Sequence, residues 1–505
     1  MPDQKPPDGQ PLRDDSGAPE SAGPTAKPEV SDDVVTTRHT LKVGRDSLEY
    51  TATTGRMVLR EEVFEDGRFT GYQAKAEVSM TSYVVDGPPN RPVTFAFNGG
   101  PGSSSVWLHL GLLGPRRVVM GDAGALAPPP YALTDNAETL LTVSDLVFID
   151  PVSTGYSRAV EGSKPEPFHG YQGDIESVGE LIRIWTSRHK RWLSPKFVAG
   201  ESYGTLRGAA LVEHLQSRHG MYVNGLILIS SVLDLSSIDF ENQRNDRAHA
   251  LYLPTYAAIA HYHGRLRRRS LKAVLAEAEA YAAQEYPWVL SRGDRLGARE
   301  RATAVRRLAA LTGLSEEYVD RADLRIEHWR FFGELLRDRR RTVGRLDGRF
   351  TGPMASAIAE HMDADPSMDA ITGPYAAAFN HYVRDELGYE NDLPYEQLTS
   401  RVQPWSYKDF EGRPVDVTPK LERAMRANPH LKVHVAYGYY DGATPHFAAE
   451  DVLAHLQIPE ELRANIEHRY YEAGHMMYVH EPTRRRQGKD LADFVTRSSP
   501  PPLSA

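Results

Sequence analysis

Five residues, Gly200-Glu201-Ser202-Tyr203-Gly204, restrict this chain more than any other stretch. They stand between an apolar run ending in Phe197-Val198-Ala199 and an amphipathic pattern from Thr205 to His219. The first reads as the end of a buried strand and the second as a helix. A serine in so tight a strand-to-helix turn needs small residues two before and two after it, and glycine stands at both places. The turn exposes the hydroxyl, and the helix N-terminus behind it favours negative charge developing nearby. The alternative for any Gly-x-Ser-x-Gly is a plain turn; strand before and helix after argue for a nucleophile.

Around this turn the chain alternates. Val93–Phe97, Asp145–Ile149, Phe197–Ala199 and Leu226–Ile229 are short, nearly all-apolar runs, as in a sheet covered on both faces. Helical patterns over Asp174–Trp192 and Thr205–His219 separate the later runs. This rhythm predicts an α/β fold with a mostly parallel central sheet. It is preceded by β-rich segments, His39–Thr53 and Ala76–Val85, with a turn at Glu65-Asp66-Gly67. From Ile238 to Ala427 the rhythm stops and helical segments dominate, among them Ser270–Tyr286, Gly297–Leu311 and Ile326–Arg337. Lys432–Tyr437 and Ile466–Tyr471 then resume the sheet. The expected organisation is a tail over 1–36, a discontinuous core over 37–237 and 428–496, an inserted helical cap over 238–427, and a short tail over 497–505.

Composition narrows the function classes. A net charge of −9 over 505 residues argues against nucleic acid as the main partner. The arginine clusters at Arg265–Arg269 and Arg337–Arg341 read as solvated helix faces. No apolar run approaches a membrane span, so no membrane partner is expected. The chain has no cysteine, which excludes disulfides, thiolate metal sites and a cysteine nucleophile and suits a cytoplasmic location. The first 35 residues carry seven prolines and no signal-peptide core. No metal or cofactor is called for, and oligomeric state is left open.

A serine nucleophile needs a base to take its proton and an acid to orient that base. Asp441 follows the strand ending at Tyr437, and His475 follows the strand ending near Tyr471, so both fall where Ser202 emerges. Asp234, after Leu226–Ile229, is the rival acid; His480 is a rival base, but lies deeper in what reads as the final helix. An oxyanion site needs two N–H groups, one from the residue after the nucleophile, Tyr203. A glycine-rich loop after an early strand supplies the second elsewhere. Asn98-Gly99-Gly100-Pro101-Gly102, directly after Val93–Phe97, fits that need or makes a plain turn.

Taken together, these motifs resemble the serine carboxypeptidase family of α/β-hydrolases, in a bacterial type lacking cysteines. The resemblance rests on Asn98–Ser105 with Gly114-Pro115, on Phe148–Ser157, on Gly200–Gly204, and on Asp441 and Gly474-His475 in that order. It implies Ser202 as nucleophile, Asp441 as orienting acid, His475 as base, and the N–H groups of Gly100 and Tyr203 as oxyanion donors. It further implies that Asn98, Gly99 and Glu201 hold the terminal carboxylate of a peptide substrate. Two close carboxylates can share a site only if one is protonated. One departure stands out: where family members place a second glutamate, this chain has Leu112, and no acidic residue occurs from Ser103 to Arg117. His109 is the only titratable residue there besides the arginines. The expectation is a serine-type carboxypeptidase. An esterase or acyltransferase on the same scaffold is the alternative, and a non-catalytic binding protein the second.

Overall fold

The computed structural model describes residues 30–88, 90–121, 124, 127–242, 244–266 and 269–500. The residues expected as tails lie mostly outside these. Three long strands come first: β1 (Asp33–Val43), β2 (Asp46–Glu65) and β3 (Arg68–Val85). The alternating part follows as β4 (Val93–Phe97), β5 (Asp145–Ile149), helix α1 (Tyr171–Arg188), β6 (Lys196–Ser202), helix α2 (Tyr203–His219) and β7 (Gly225–Ser231). After an excursion of about two hundred residues the chain returns as β8 (Lys432–Gly438) and β9 (Ile466–Tyr471).

These strands join one sheet in the order β1-β2-β3-β5-β4-β6-β7-β8-β9, with the two-residue strand Arg158–Ala159 pairing off β3. Pairing is parallel from β5 through β9 and antiparallel from β1 to β5. The reason lies in the side chains. All five residues of β4 and of β5 are buried, so no face of this part meets water. Alternate residues serve opposite faces. Val198, Leu226, Leu228, Val433 and Val435 pack with α1 and α2. Phe197, Ala199, Ile227, Ile229 and Ala436 pack against Leu491, Phe494 and Val495 of the C-terminal helix Glu481–Arg497.

The excursion contains α3 (Asp246–Tyr262), α4 (Leu271–Gln284), α5 (Ala298–Thr312) and α6 (Pro366–His381). The first three build a separate apolar cluster around Tyr252, Tyr256, Leu275 and Leu308. A small hairpin, Arg341–Val343 with Thr351–Pro353, sits in this region, where helices alone were expected. Among the described residues no helix is long and apolar enough to cross a membrane.

Three boundaries differ from expectation. Strand β1 begins at Asp33, inside the stretch read as tail, and pairs with β2 from its first residue. Strands β2 and β3 form one long hairpin rather than short segments; its outer end is exposed and charged, which hides the alternation. Residues 396–416, read as cap, form bridges with core residues Ser103, Gly155, Gly170 and Asp234. Helix α7 (Thr418–Ala427) likewise buries Leu421, Ala424 and Met425 in the core cluster that contains α2.

Candidate active site

Ser202 ends β6 and stands at the N-cap of α2 with φ +61° and ψ −132°, a conformation that non-glycine residues rarely adopt. The six preceding residues of β6 are buried and Ser202 alone reaches solvent. Gly200 and Gly204 explain how the turn closes: a Cβ on Gly200 would run into the Gly204 carbonyl, and one on Gly204 would crowd Phe97 and Asn98. Behind the serine, Thr205 Oγ1 donates to its carbonyl at 2.7 Å.

His475 and Asp441 meet beside this turn. His475 Nδ1 lies 2.8 Å from Asp441 Oδ2. A carboxylate only accepts, so Nδ1 carries the proton and Nε2 is left free as a base. Asp441 is fully buried and otherwise held by the N–H groups of Ala443 and Thr444, at 2.8 and 2.9 Å on Oδ1. Thr444 Oγ1 reaches Oδ2 at 2.8 Å. Ser230 Oγ donates to the His475 carbonyl at 2.7 Å, and its neighbour Ser231 stands opposite Ser202 in the β6–β7 register. The His475 backbone is thereby tied to the strand that neighbours Ser202. Burial pushes the His475 pKa down, but the charge and hydrogen bond of Asp441, with the charge of Glu201, outweigh it and leave it raised.

Asp234 stands elsewhere. It caps the turn Leu235–Ile238 through Ser236 and pairs with Arg247 at 2.9 Å. His480 bonds Thr483 at 2.8 Å.

The loop Asn98–Gly102 packs against the serine turn so closely that a Cβ at Gly99 would overlap the Tyr203 and Gly204 nitrogens. Gly100 has φ +102°, which a side chain would strain. Asn98 faces both ways: its Oδ1 accepts from Leu108 N at 3.0 Å and its Nδ2 donates to Glu201 Oε1 at 2.8 Å. Glu201 is buried, and its other oxygen has no hydrogen-bond partner. Burial, reinforced by Asp441 and opposed by His475, Tyr478 and Asn98, pushes its pKa up to about 7.

Support for this loop comes from residues outside the motifs. Arg207 on α2, fully buried, donates to the Asn98 carbonyl at 2.6 Å and to Asp174 on α1 at 2.7 Å. Its guanidinium lies over the rings of Phe97 and Tyr203. Asp150, in the second motif, accepts from Ser105 N and Oγ at 2.8 and 2.7 Å, so that motif braces the glycine-rich loop. Spacing could not have shown Arg207 or Thr444: one basic residue in a helical pattern and one threonine after a strand carry no mark in the sequence.

Leu112 is buried in an apolar cluster within the π-helical turn His109–Leu113. His109 is buried too, bonded to Tyr83 at 2.6 Å, with burial lowering its pKa to about 3. It stays neutral and does not replace the absent carboxylate. Among the described residues no group of histidines and carboxylates is placed to hold a metal ion.

The model of the serine carboxypeptidase family matches residues 80–481, spanning every part of this site. The chain belongs to the serine carboxypeptidase family. Among curated proteins it is 27% identical over 190 residues to serine carboxypeptidase-like 11 of Arabidopsis thaliana, 35% of this chain and 41% of that one. To serine carboxypeptidase-like 19 of the same plant it is 31% identical over 147 residues, 26% of this chain and 30% of that one. The matches thus span less than half the length of these relatives, and as plant proteins they lend the bacterial type no support. Among solved structures it is similar to Kex1(delta)p, a prohormone-processing carboxypeptidase from Saccharomyces cerevisiae. The TM-score is 0.53 at 14% identity, over 88% of this chain and 91% of that one. This likeness shows the shared α/β-hydrolase-like fold.

Proposed function

We propose that this protein is a serine-type carboxypeptidase that hydrolyses C-terminal peptide bonds through an acyl-enzyme on Ser202. One observation carries the reading: the residue before the serine, Glu201, is a buried carboxyl held by Asn98 with its second oxygen unpartnered. A site for a terminal carboxylate therefore adjoins the site for acyl transfer. With its pKa near 7, Glu201 is substantially protonated at neutral pH and donates to the incoming carboxylate instead of repelling it. Asn98 and Gly99 complete the contact.

The chemistry follows from the arrangement. His475 Nε2 takes the Ser202 proton as Oγ attacks the last peptide carbonyl, and Asp441 stabilises the imidazolium. The N–H groups of Gly100 and Tyr203 receive the oxyanion. The C–N bond breaks, His475 passes the proton to the departing amino acid, and water then releases the acyl group by the same steps. Helices α3–α6, as an inserted cap, restrict access to chain ends. Family membership supports this reading, and the absence of cysteine supports a reducing, cytoplasmic setting.

A blocked dipeptide, its C-terminal amide and the matching simple ester, assayed side by side, test the proposal. The free acid should be cleaved with the highest kcat/KM and the amide poorly. Equal rates on acid and amide would replace the reading with a broad esterase or acyltransferase. No covalent labelling by a fluorophosphonate would leave only a binding protein.

A further inference from the structure

The family's second carboxylate is absent at Leu112, yet the space beside Glu201 is not empty. Gly111, next to Leu112, has no side chain, and a Cβ there would overlap the ring of Tyr478 and crowd the Tyr375 hydroxyl. Tyr478 comes three residues after His475, in the turn Met477–Val479, and is 3% exposed. Tyr478 is among the groups that act on the Glu201 proton, and Glu201 and Asn98 act on Tyr478 in turn. The Tyr478 hydroxyl and Glu201 Oε2 are both buried, and neither has a hydrogen-bond partner of good geometry. Two buried polar atoms without partners on interacting residues are costly unless a ligand supplies the missing partner.

We propose that the Tyr478 hydroxyl is the second donor to the substrate's terminal carboxylate, standing where a second glutamate would otherwise serve. It rests on the carboxypeptidase reading and sharpens it. A phenol donates one hydrogen bond while keeping its proton across the working range, so it meets an anion without needing a shared proton. Gly111 is then part of the same device, because only the missing side chain lets the ring enter. The ligand class is an α-carboxylate at the end of a peptide, with Tyr478 and protonated Glu201 on its two oxygens.

Steady-state kinetics of wild type, Tyr478→Phe and Tyr375→Phe, on a blocked free-acid dipeptide and its ester analogue lacking a terminal carboxylate, test this. Tyr478→Phe should raise KM for the acid roughly 10- to 100-fold. Its kcat on the acid and both constants on the ester should stay near wild type, and Tyr375→Phe should discriminate as wild type does. Fluorophosphonate labelling of Ser202 at the wild-type rate reports an intact fold. Should Tyr478→Phe not label, 3-fluorotyrosine in place of Tyr478, a stronger donor of nearly the same shape, should lower KM for the acid alone; an unchanged KM would overturn the proposal. If wild type prefers the acid and Tyr478→Phe prefers it equally, or if Tyr375→Phe carries the loss instead, the assignment to Tyr478 fails while the carboxypeptidase reading stands. If wild type itself has no preference for the acid, that reading fails and this one with it.

Discussion

Asn98 Nδ2 donates to Glu201 Oε1 at 2.8 Å, joining the glycine-rich loop after β4 to the residue before the nucleophile. Through that bond the two motifs form one floor. Next to Ser202 in the chain, that floor holds a buried carboxyl whose second oxygen has no hydrogen-bond partner.

If Ser202, His475 and Asp441 act as one unit, Ser202→Ala and His475→Ala should each lower kcat by roughly 10⁴–10⁶, and the double variant should be hardly worse. Asp441→Asn should cost about 10⁴-fold through the wrong histidine tautomer. Asp234→Asn should be mild, because Asp234 serves Arg247 and a turn. An Asp234→Asn loss larger than that of Asp441→Asn would reverse the assignment of the acid.

The acid is held as well as placed. Thr444→Val removes the Oγ1 contact to Asp441 Oδ2 and should lower kcat about tenfold, equivalent to ~1.4 kcal/mol of transition-state stabilisation. Thr444→Ser keeps the hydroxyl and should restore most of it. Equal losses in both variants would point to packing instead.

Much of this was legible in the sequence and some was not, for physical reasons. Ser202 closes a strand, Asp441 and His475 each follow a strand end within a few residues, and local pattern finds strand ends. The same holds for Asn98 after β4. Tyr478 gave no signal, since its position beside Glu201 depends on a glycine in another part of the chain. Residues 396–427 read as cap because their contacts with the core are isolated bridges and a single helix, which leave no period. Arg207 carried no mark in the sequence, although it is among the most buried side chains.

The Arg207–Asp174 pair beneath the serine turn should matter to stability. Arg207→Met alone leaves Asp174 buried without a partner and should cost about 3–5 kcal/mol, seen as a lower Tm. Adding Asp174→Leu should recover most of the loss. A single variant as stable as wild type would show the pair to be unimportant.

Two titrations shape the pH dependence. The raised His475 must lose its proton to act, so the acid limb of kcat/KM on an ester should lie above 6.5. Glu201→Gln removes one of the charges raising it, so that limb should move to lower pH. On a free-acid peptide, activity should fall as pH rises through about 7 or above, as Glu201 ionises, and Glu201→Gln should flatten that decline. The linked stability has a definite sign. Glu201 holds its proton more tightly folded than unfolded, so its contribution is full below about 4.5 and lost as pH rises through about 7. Tm of wild type relative to Glu201→Gln should therefore drop across that window; a rise would contradict the assignment.

The most direct measurement is time-resolved mass spectrometry of one unblocked peptide and its C-terminal amide, incubated with wild type and with Ser202→Ala. Wild type should produce a ladder of single-residue losses from the carboxyl end of the acid, little from the amide, and Ser202→Ala should produce none. Internal cleavage, or equal ladders from acid and amide, would contradict the account.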